Sequence, residues 1–165
     1  LLARETARFD TLLVFEVDGH RYALHASEVN ELVRAALPAR LAQTPDVIEG
    51  ILSIRGRIAA VLDLRVRFGL PQRPMRTTDV LILCEVGARL LALHADSIVD
   101  LLHVPASSLV DAQGVGPTAR YARGVVALHD GLLLIADIPA FLDEAESQAL
   151  TRALSLAAEQ AGEAT

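Results

Sequence analysis

A chain of 165 residues has room for one ordinary domain or two very small ones. It is 52% hydrophobic but only 4% aromatic, with no Trp, so it can bury a core and must build it mainly from Leu, Val, Ile and Ala. The formal charge is −6 and all fifteen cations are Arg, which removes any lysine-dependent chemistry and leaves no basic footprint for nucleic acid or an anionic membrane.

Residues 1–5 (Leu1-Leu2-Ala3-Arg4-Glu5) show no basic region followed by an apolar stretch, so no signal peptide is expected. From residue 12 onward, short apolar segments alternate with turn residues, which is a β signature. Residues 12–17, the Asp18-Gly19 turn and residues 21–25 form a first hairpin. Residues 50–54 and 57–63 flank Arg55-Gly56 as a second. Leu64 to Phe68 reads as one helical turn stopped by Gly69 and Pro71, and residues 71–78 have the composition of a linker. Residues 79–86, Gly87 and residues 89–94 make a third hairpin; residues 124–128, His129-Asp130-Gly131 and residues 132–137 make a fourth.

The tail is different. Asp143 to Glu146 reads as a capping box, and Ala149, Leu150, Ala153, Leu154 and Ala157 lie at helical spacing. A helix is expected over about 143–160, its stripe packed on its own barrel and Glu144, Glu146, Glu159 and Glu163 on the solvated side. Apolar runs such as 58–62 and 132–136 are far shorter than the ~18 residues a bilayer-spanning helix needs, so no membrane insertion is expected.

The four hairpins are two copies of one pattern. Ala23-Leu24-His25-Ala26 recurs 69 residues later as Ala92-Leu93-His94-Ala95, and the shift persists from Val29 to Ile98, Glu31 to Asp100 and Leu32 to Leu101. In the second hairpin of each half the shift is 74: Gly50 falls on Gly124, Ile51 on Val125, Asp63 on Asp137 and Leu64 on Ile138. Each half is marginal as an independent core, and short strands with Gly-marked turns favour small closed barrels. The expected class is therefore all-β: two small barrels sharing a core, plus the C-terminal helix. Subdomain one spans about 10–70 and subdomain two about 79–141, within a single domain over 10–158. A groove between the halves is the natural place for a ligand or partner.

Several signals for other chemistry fail on context. Gly114-Val115-Gly116-Pro117-Thr118-Ala119, with Asp137 about twenty residues on, has dinucleotide-fingerprint spacing. It follows no apolar strand and opens no helix, so it reads as a loop. His25 and His94 occupy equivalent places in the repeat, and His103 and His129 lie in the second half, but none forms a local metal-ligand pair. A His25–His94 pair across the interface is the remaining metal option; half-exposed positions at strand exits are the expectation. Asp63 and Asp137 read as a repeated capping or turn-bonding role rather than as paired catalytic carboxylates. The lone Cys84 sits in an apolar strand and reads as core, consistent with a reducing, cytosolic setting and no disulfide. No cofactor or metal is expected.

The segment from Leu12 to Leu24, followed by Val29-Asn30-Glu31-Leu32, resembles the opening of the CheW family. Ile48-Glu49-Gly50-Ile51-Leu52-Ser53-Ile54-Arg55-Gly56-Arg57-Ile58, then Val61-Leu62-Asp63-Leu64, is similar to that family's G-x-x-N-L-R-G-x-I segment and its V-[IV]-D-L strand. Ser53-Ile54 departs from the usual Asn-Leu, a change expected to alter the hairpin. The resemblance implies two five-stranded barrel subdomains, no catalysis, and coupling of chemoreceptors to the histidine kinase CheA at membrane-associated arrays in the cytoplasm. One surface would engage the kinase's regulatory domain, and a groove between subdomains would take the helical tip of the receptor. By matching position, Val29, Glu31, Arg55, Ile58 and Val80 fall where the family meets the receptor, while Gly50 and Gly56 frame the arginine hairpin. Kinase-contact residues are not placed. Val29, Ile58 and Val80 would form an apolar floor, with Arg55 as a forked, permanently charged donor. Two alternatives stand beside this: a CheW-like regulatory module of a larger kinase or receiver-containing protein, and an unrelated small-barrel ligand-binding protein or enzyme.

Overall fold

A computed structural model describes residues 8–112, 114 and 116–163; residues 1–5, expected to carry no signal peptide, and Val115 of the glycine motif lie outside the described residues. The chain runs β1 (Phe9–Val17), β2 (His20–His25), β3 (Val29–Arg34), β4 (Ile48–Ile54), β5 (Arg57–Asp63) and the single helical turn α1 (Leu64–Arg67). It continues through β6 (Val80–Val86), β7 (Arg89–Ala95), β8 (Ser97–Pro105), the two-residue β9 (Leu109–Val110), β10 (Ala122–Leu128), β11 (Gly131–Ala136) and the helix α2 (Glu144–Glu163). All four expected hairpins form. In two of them both turn residues have positive φ, 53° and 75° at Asp18-Gly19 and 51° and 80° at Arg55-Gly56. That turn matches the right-handed twist of the flanking strands. Ser53 lies in β4 paired with Ile58, outside the two turn residues. Pro117–Tyr121 forms a short 3₁₀ turn that leads into β10, and the glycine motif opens no α-helix.

The strands form a six-stranded sheet, in the order β8-β1-β2-β11-β10-β9, and a five-stranded one, β3-β6-β7-β5-β4. These barrel-like sheets cut across the repeat. The first holds the opening hairpin of the first half with the later strands of the second; the other holds the reverse. Contiguous subdomains over about 10–70 and 79–141 therefore do not correspond to the two sheets. The reason is the short connection after each opening hairpin: β3 leaves β2 and pairs with β6, while β8 leaves β7 and pairs with β1. Parallel pairs, β2 with β11 and β5 with β7, seal each exchanged hairpin in place.

Most of the central strands bury both faces. Leu12 and Val14 of β1 point into the first sheet's interior with Ala23, Val126, Leu133 and Ile135, while Leu13, Phe15 and Val17 point into a core shared by the two sheets. In the other sheet, Ala59, Val61, Leu81, Leu83, Leu90 and Ala92 fill the interior, and Ala60, Leu62, Ile82, Cys84, Leu91 and Leu93 join the shared core. Strands buried on both sides read as continuous apolar runs rather than alternating ones. No buried residue of either sheet interior is aromatic; Phe15, Tyr22, Phe68, Tyr121 and Phe141 all lie in the shared core, in a chain of ring contacts. Curled sheets this small leave space for Ala, Val and Leu, and the bulk collects between them.

Gly50 and Gly124, the repeat-equivalent glycines, both sit where a strand pairing shifts register. At Gly50 (φ 156°) a Cβ would lie 2.3 Å from the Ala39 carbonyl oxygen, so only glycine admits the Ala39–Ile51 bridge. The capping box at α2 is reciprocal: Glu146 N–H donates to Asp143 Oδ1 at 2.7 Å and Asp143 N–H to Glu146 Oε1 at 3.0 Å. Leu150 and Ala153 are buried under the helix, and Leu154 packs against the shared core. Glu146 is not on the solvated side. Its third position in the helix faces α1, where Arg67 forks onto it at 2.9 and 2.6 Å.

Candidate functional site

In the five-stranded sheet β3 and β4 are the two ends, and Arg55 spans the space between them. From the β4–β5 turn its Nη1 donates to Glu31 Oε2 at 2.7 Å and its Nη2 to Oε1 at 2.5 Å. This fork needs a planar guanidinium with two parallel donors, which Lys lacks. Beside it Arg57 pairs with Glu85 at the end of β6. Ile58, next along β5, is 51% exposed, and Val29 opens β3 opposite Cys84. Val29, Glu31, Arg55 and Ile58 thus lie toward one end of the sheet, Ile58 exposed and Val29 partly buried against the shared core.

Val80 does not join them there. It pairs with Arg34 at the far end of β3, four residues along β6 from Cys84, a separation of about 13 Å at strand rise. Leu32, paired with Ile82, lies between these ends and is exposed. The repeat pattern matched Leu32 to Leu101 but gave no sign that both would stay exposed, as they do. Gly56 completes the arginine turn, and Gly50 lets the Ala39 segment lie against β4.

A second cluster lies at the opposite end of the same sheet, where sequence inspection suggested only a linker. Arg65, itself buried, donates to Asp18 of the first hairpin turn at 3.1 Å, to Asp96 at 2.6 Å and to the Pro71 carbonyl at 2.9 Å. Arg73 forks onto Asp79 at 2.8 and 2.9 Å and reaches Asp96 at 2.7 Å. The segment 71–78 is therefore pinned across both sheets. Burial acts to raise the Asp79 pKa, but the Arg73 fork, the Arg76 N–H and His94 together hold it far below the usual carboxylate range.

His94 corrects the expectation of a half-exposed strand exit. It is buried, with Nε2 2.7 Å from Asp79 Oδ2 and Nδ1 3.0 Å from both oxygens of Glu49, whereas its repeat equivalent His25 is half-buried. The two aspartates diverge likewise. Asp63 caps α1, accepting from the backbone N–H of Arg65 and Val66 at 2.9 and 3.4 Å. Asp137 caps nothing and pairs with Arg123 at 3.3 Å, because a 3₁₀ turn rather than an α-helix comes after it. Burial, with a contribution from Glu49, raises the Asp63 pKa. Cys84 is fully buried and its thiol is pushed up to about 12, chiefly by burial. Among the described residues no group of three or more His, Cys, Asp and Glu is arranged to hold a metal ion, and no helix is long and apolar enough to cross a membrane.

A sequence model of the CheW-like domain matches residues 11–146. The chain belongs to the CheW-like family. Chemotaxis protein CheW of Klebsiella aerogenes is 29% identical over 147 residues, covering 88% of each chain. Chemotaxis protein CheW of Bacillus subtilis is 27% identical over 141 residues, covering 84% of this chain and 90% of that relative. The crystal structure of the scaffolding protein TtCheW from Thermoanaerobacter tengcongensis shares the fold, with a TM-score of 0.75 at 21% identity over 88% of this chain and 96% of that one. The CheW-like match begins in β1 and ends in the first turn of α2, so both sheets, the Arg55 hairpin and the pinned segment 71–78 lie inside it.

Proposed function

We propose that this CheW-like domain is a non-catalytic adaptor that couples the cytoplasmic tip of chemoreceptors to a CheA-type histidine kinase. Membership of the family across both sheets is the observation that carries this reading. It acts by holding two partners in fixed relative position, uses no substrate or cofactor, and works in the cytoplasm at receptor arrays. The receptor surface is the charged end of the five-stranded sheet. An amphipathic helical bundle presents an apolar stripe flanked by charge, and Val29, Leu32 and Ile58 meet the stripe while Arg55 meets the flank. Val80 extends the surface along β6. The Glu31 carboxylate holds the guanidinium in place before the partner arrives, so little rotamer freedom remains to be lost on binding.

Arg55→Glu sets a carboxylate against Glu31 and removes the fork. Arg55 is 77% exposed, so the fold survives the change. Co-sedimentation with receptor-containing membranes and purified kinase is expected to show both partners retained by the parent protein, and receptor affinity reduced at least tenfold in the variant. Undiminished receptor binding by Arg55→Glu would remove the site assignment. Failure of the parent protein to retain either partner would remove the adaptor reading itself.

A further inference from the structure

His94 sits near the end of β7, 4% exposed, with a carboxylate against each ring nitrogen. A neutral imidazole has one N–H and one lone pair, so it satisfies one of these carboxylates and opposes a lone pair to the other. Both contacts are hydrogen bonds together only when the trio holds one proton more than a neutral ring between two carboxylates. Asp79 already accepts two bonds from Arg73 and one from the Arg76 N–H at 2.8 Å, which fixes it as an anion. Glu49 has the ring as its only hydrogen-bond partner among the described residues. The extra proton therefore belongs on the ring.

The surroundings agree. Asp63 is the register partner of His94 on β5, and Arg73 lies behind Asp79 with Asp96, Arg65 and Asp18 beyond. Arg40 and Asp46 stand on the loop that shares a cavity with Glu49. Glu49, Asp79 and Asp63 thus set three carboxylates about the ring, and Arg73 is engaged by Asp79 and Asp96. Glu49 and Asp63 line that cavity of about 910 Å³, which opens between residues 37–46 and residues 72–75.

We propose that His94 is a proton-operated clasp: as imidazolium it ties Glu49 of β4 to Asp79 at the end of the segment 71–78, and on losing its proton to solvent it releases Glu49 and loosens the wall of that cavity. Glu49 is the group that lets go, because its carboxylate lines the cavity and is the more exposed of the two, 18% against 1%, so water can solvate it, whereas Arg73 and the Arg76 N–H hold Asp79 in place. Glu49 precedes Gly50, where the Ala39–Ile51 bridge joins the loop to β4, so its release reaches the strand that carries the Arg55 turn. Burial pushes the ring pKa down, but the hydrogen bonds and charges of Glu49 and Asp79 outweigh it and hold the ring above the ordinary imidazole value. With the folded value raised, the clasp stabilises fully below the unfolded value of about 6.5 and is lost as pH rises through the folded one.

The test is an NMR titration of the imidazole resonances in the full chain, paired with thermal unfolding between about pH 6 and 9. The exposed His20 and His129 serve as internal references. His94 is expected to titrate above both, with Tm falling as pH rises. Glu49→Gln, whose amide can donate to a neutral ring, is expected to lower the proton affinity of His94 at least tenfold and to flatten the Tm profile. His94→Gln should remove the same pH dependence. Amide exchange in residues 37–49 should quicken with pH beyond its intrinsic increase, while the protected residues 57–63 show the intrinsic increase alone. A His94 that titrates at or below His20 and His129, or a Tm profile unchanged in both variants, overturns the clasp.

Discussion

Replacing Gly50 with Ala tests whether the Ala39 segment dictates that glycine. The added Cβ would lie 2.3 Å from the Ala39 oxygen and 2.9 Å from Pro38 Cβ, at a φ of 156°. Relief requires Ala39 to withdraw, which breaks the pair of hydrogen bonds between Ala39 and Ile51, each 2.9 Å. Two net hydrogen bonds cost about 2 kcal/mol and the unfavourable backbone region roughly 1–2 more. The expected loss is about 3–4 kcal/mol, or on the order of 6–16 °C in Tm for a chain of this size. Gly124→Ala is the control built into the repeat. Its Cβ would sit 3.0 Å from the Val110 oxygen with no positive φ, and about 1 kcal/mol is expected. Urea unfolding of the two variants side by side supplies the comparison. Equal losses, or a Gly50→Ala cost below about 1 kcal/mol, would show that the close approach of Ala39 is not what requires glycine.

Two further outcomes can be measured. Arg67 and Glu146 are largely buried, and Arg67→Ala strands a carboxylate, which should cost about 2–4 kcal/mol near neutral pH. The Arg67 hydrogen bond holds the Glu146 pKa below its ordinary value, so this stabilisation is present above the unfolded value of about 4.3 and disappears as pH falls through the folded one. Melting curves between about pH 3 and 7 should therefore show the gap between variant and parent closing at the acid end; a constant gap contradicts the pairing. Cys84 has no solvent-exposed area and a thiol pKa of about 12, so a thiol reagent at about pH 8 should label it only through unfolding. Rapid labelling without denaturant, insensitive to added urea, would place that thiol elsewhere.

Local chemistry made much of the fold legible. Asp18-Gly19 and Arg55-Gly56 announced their turns because a two-residue hairpin tolerates few other sequences. Asp143 and Glu146 announced α2 because a capping box is contiguous. The partner choices of β3 and β8 were not legible, since neither strand lies within a hairpin and both choices bury similar apolar faces. His25 and His94 look identical in the repeat; they differ because Glu49 and Asp79 approach only His94. Asp63 and Asp137 part company because Leu64-Arg65-Val66 makes an α-turn after the first, whereas Ile138-Pro139-Ala140 makes a 3₁₀ turn after the second. At the site, Arg55 could be nominated from its turn, but its fork onto Glu31 depends on two strands meeting as sheet ends.

The crossing of hairpins between sheets bears on how such a molecule arises. In this chain the hairpin that covers the free edge of each repeat's third strand belongs to the other repeat, so a polypeptide holding one repeat would lack that partner. Borrowing it from a twin would give a two-fold symmetric dimer with reciprocally lent hairpins. Joining the twins through residues 71–78 turns a concentration-dependent association into a single-chain event at high effective concentration. Once fused, the halves no longer have to remain the same. One copy could keep an arginine at its turn while the other came to carry His129, so that a symmetric ancestor yields two unlike ends.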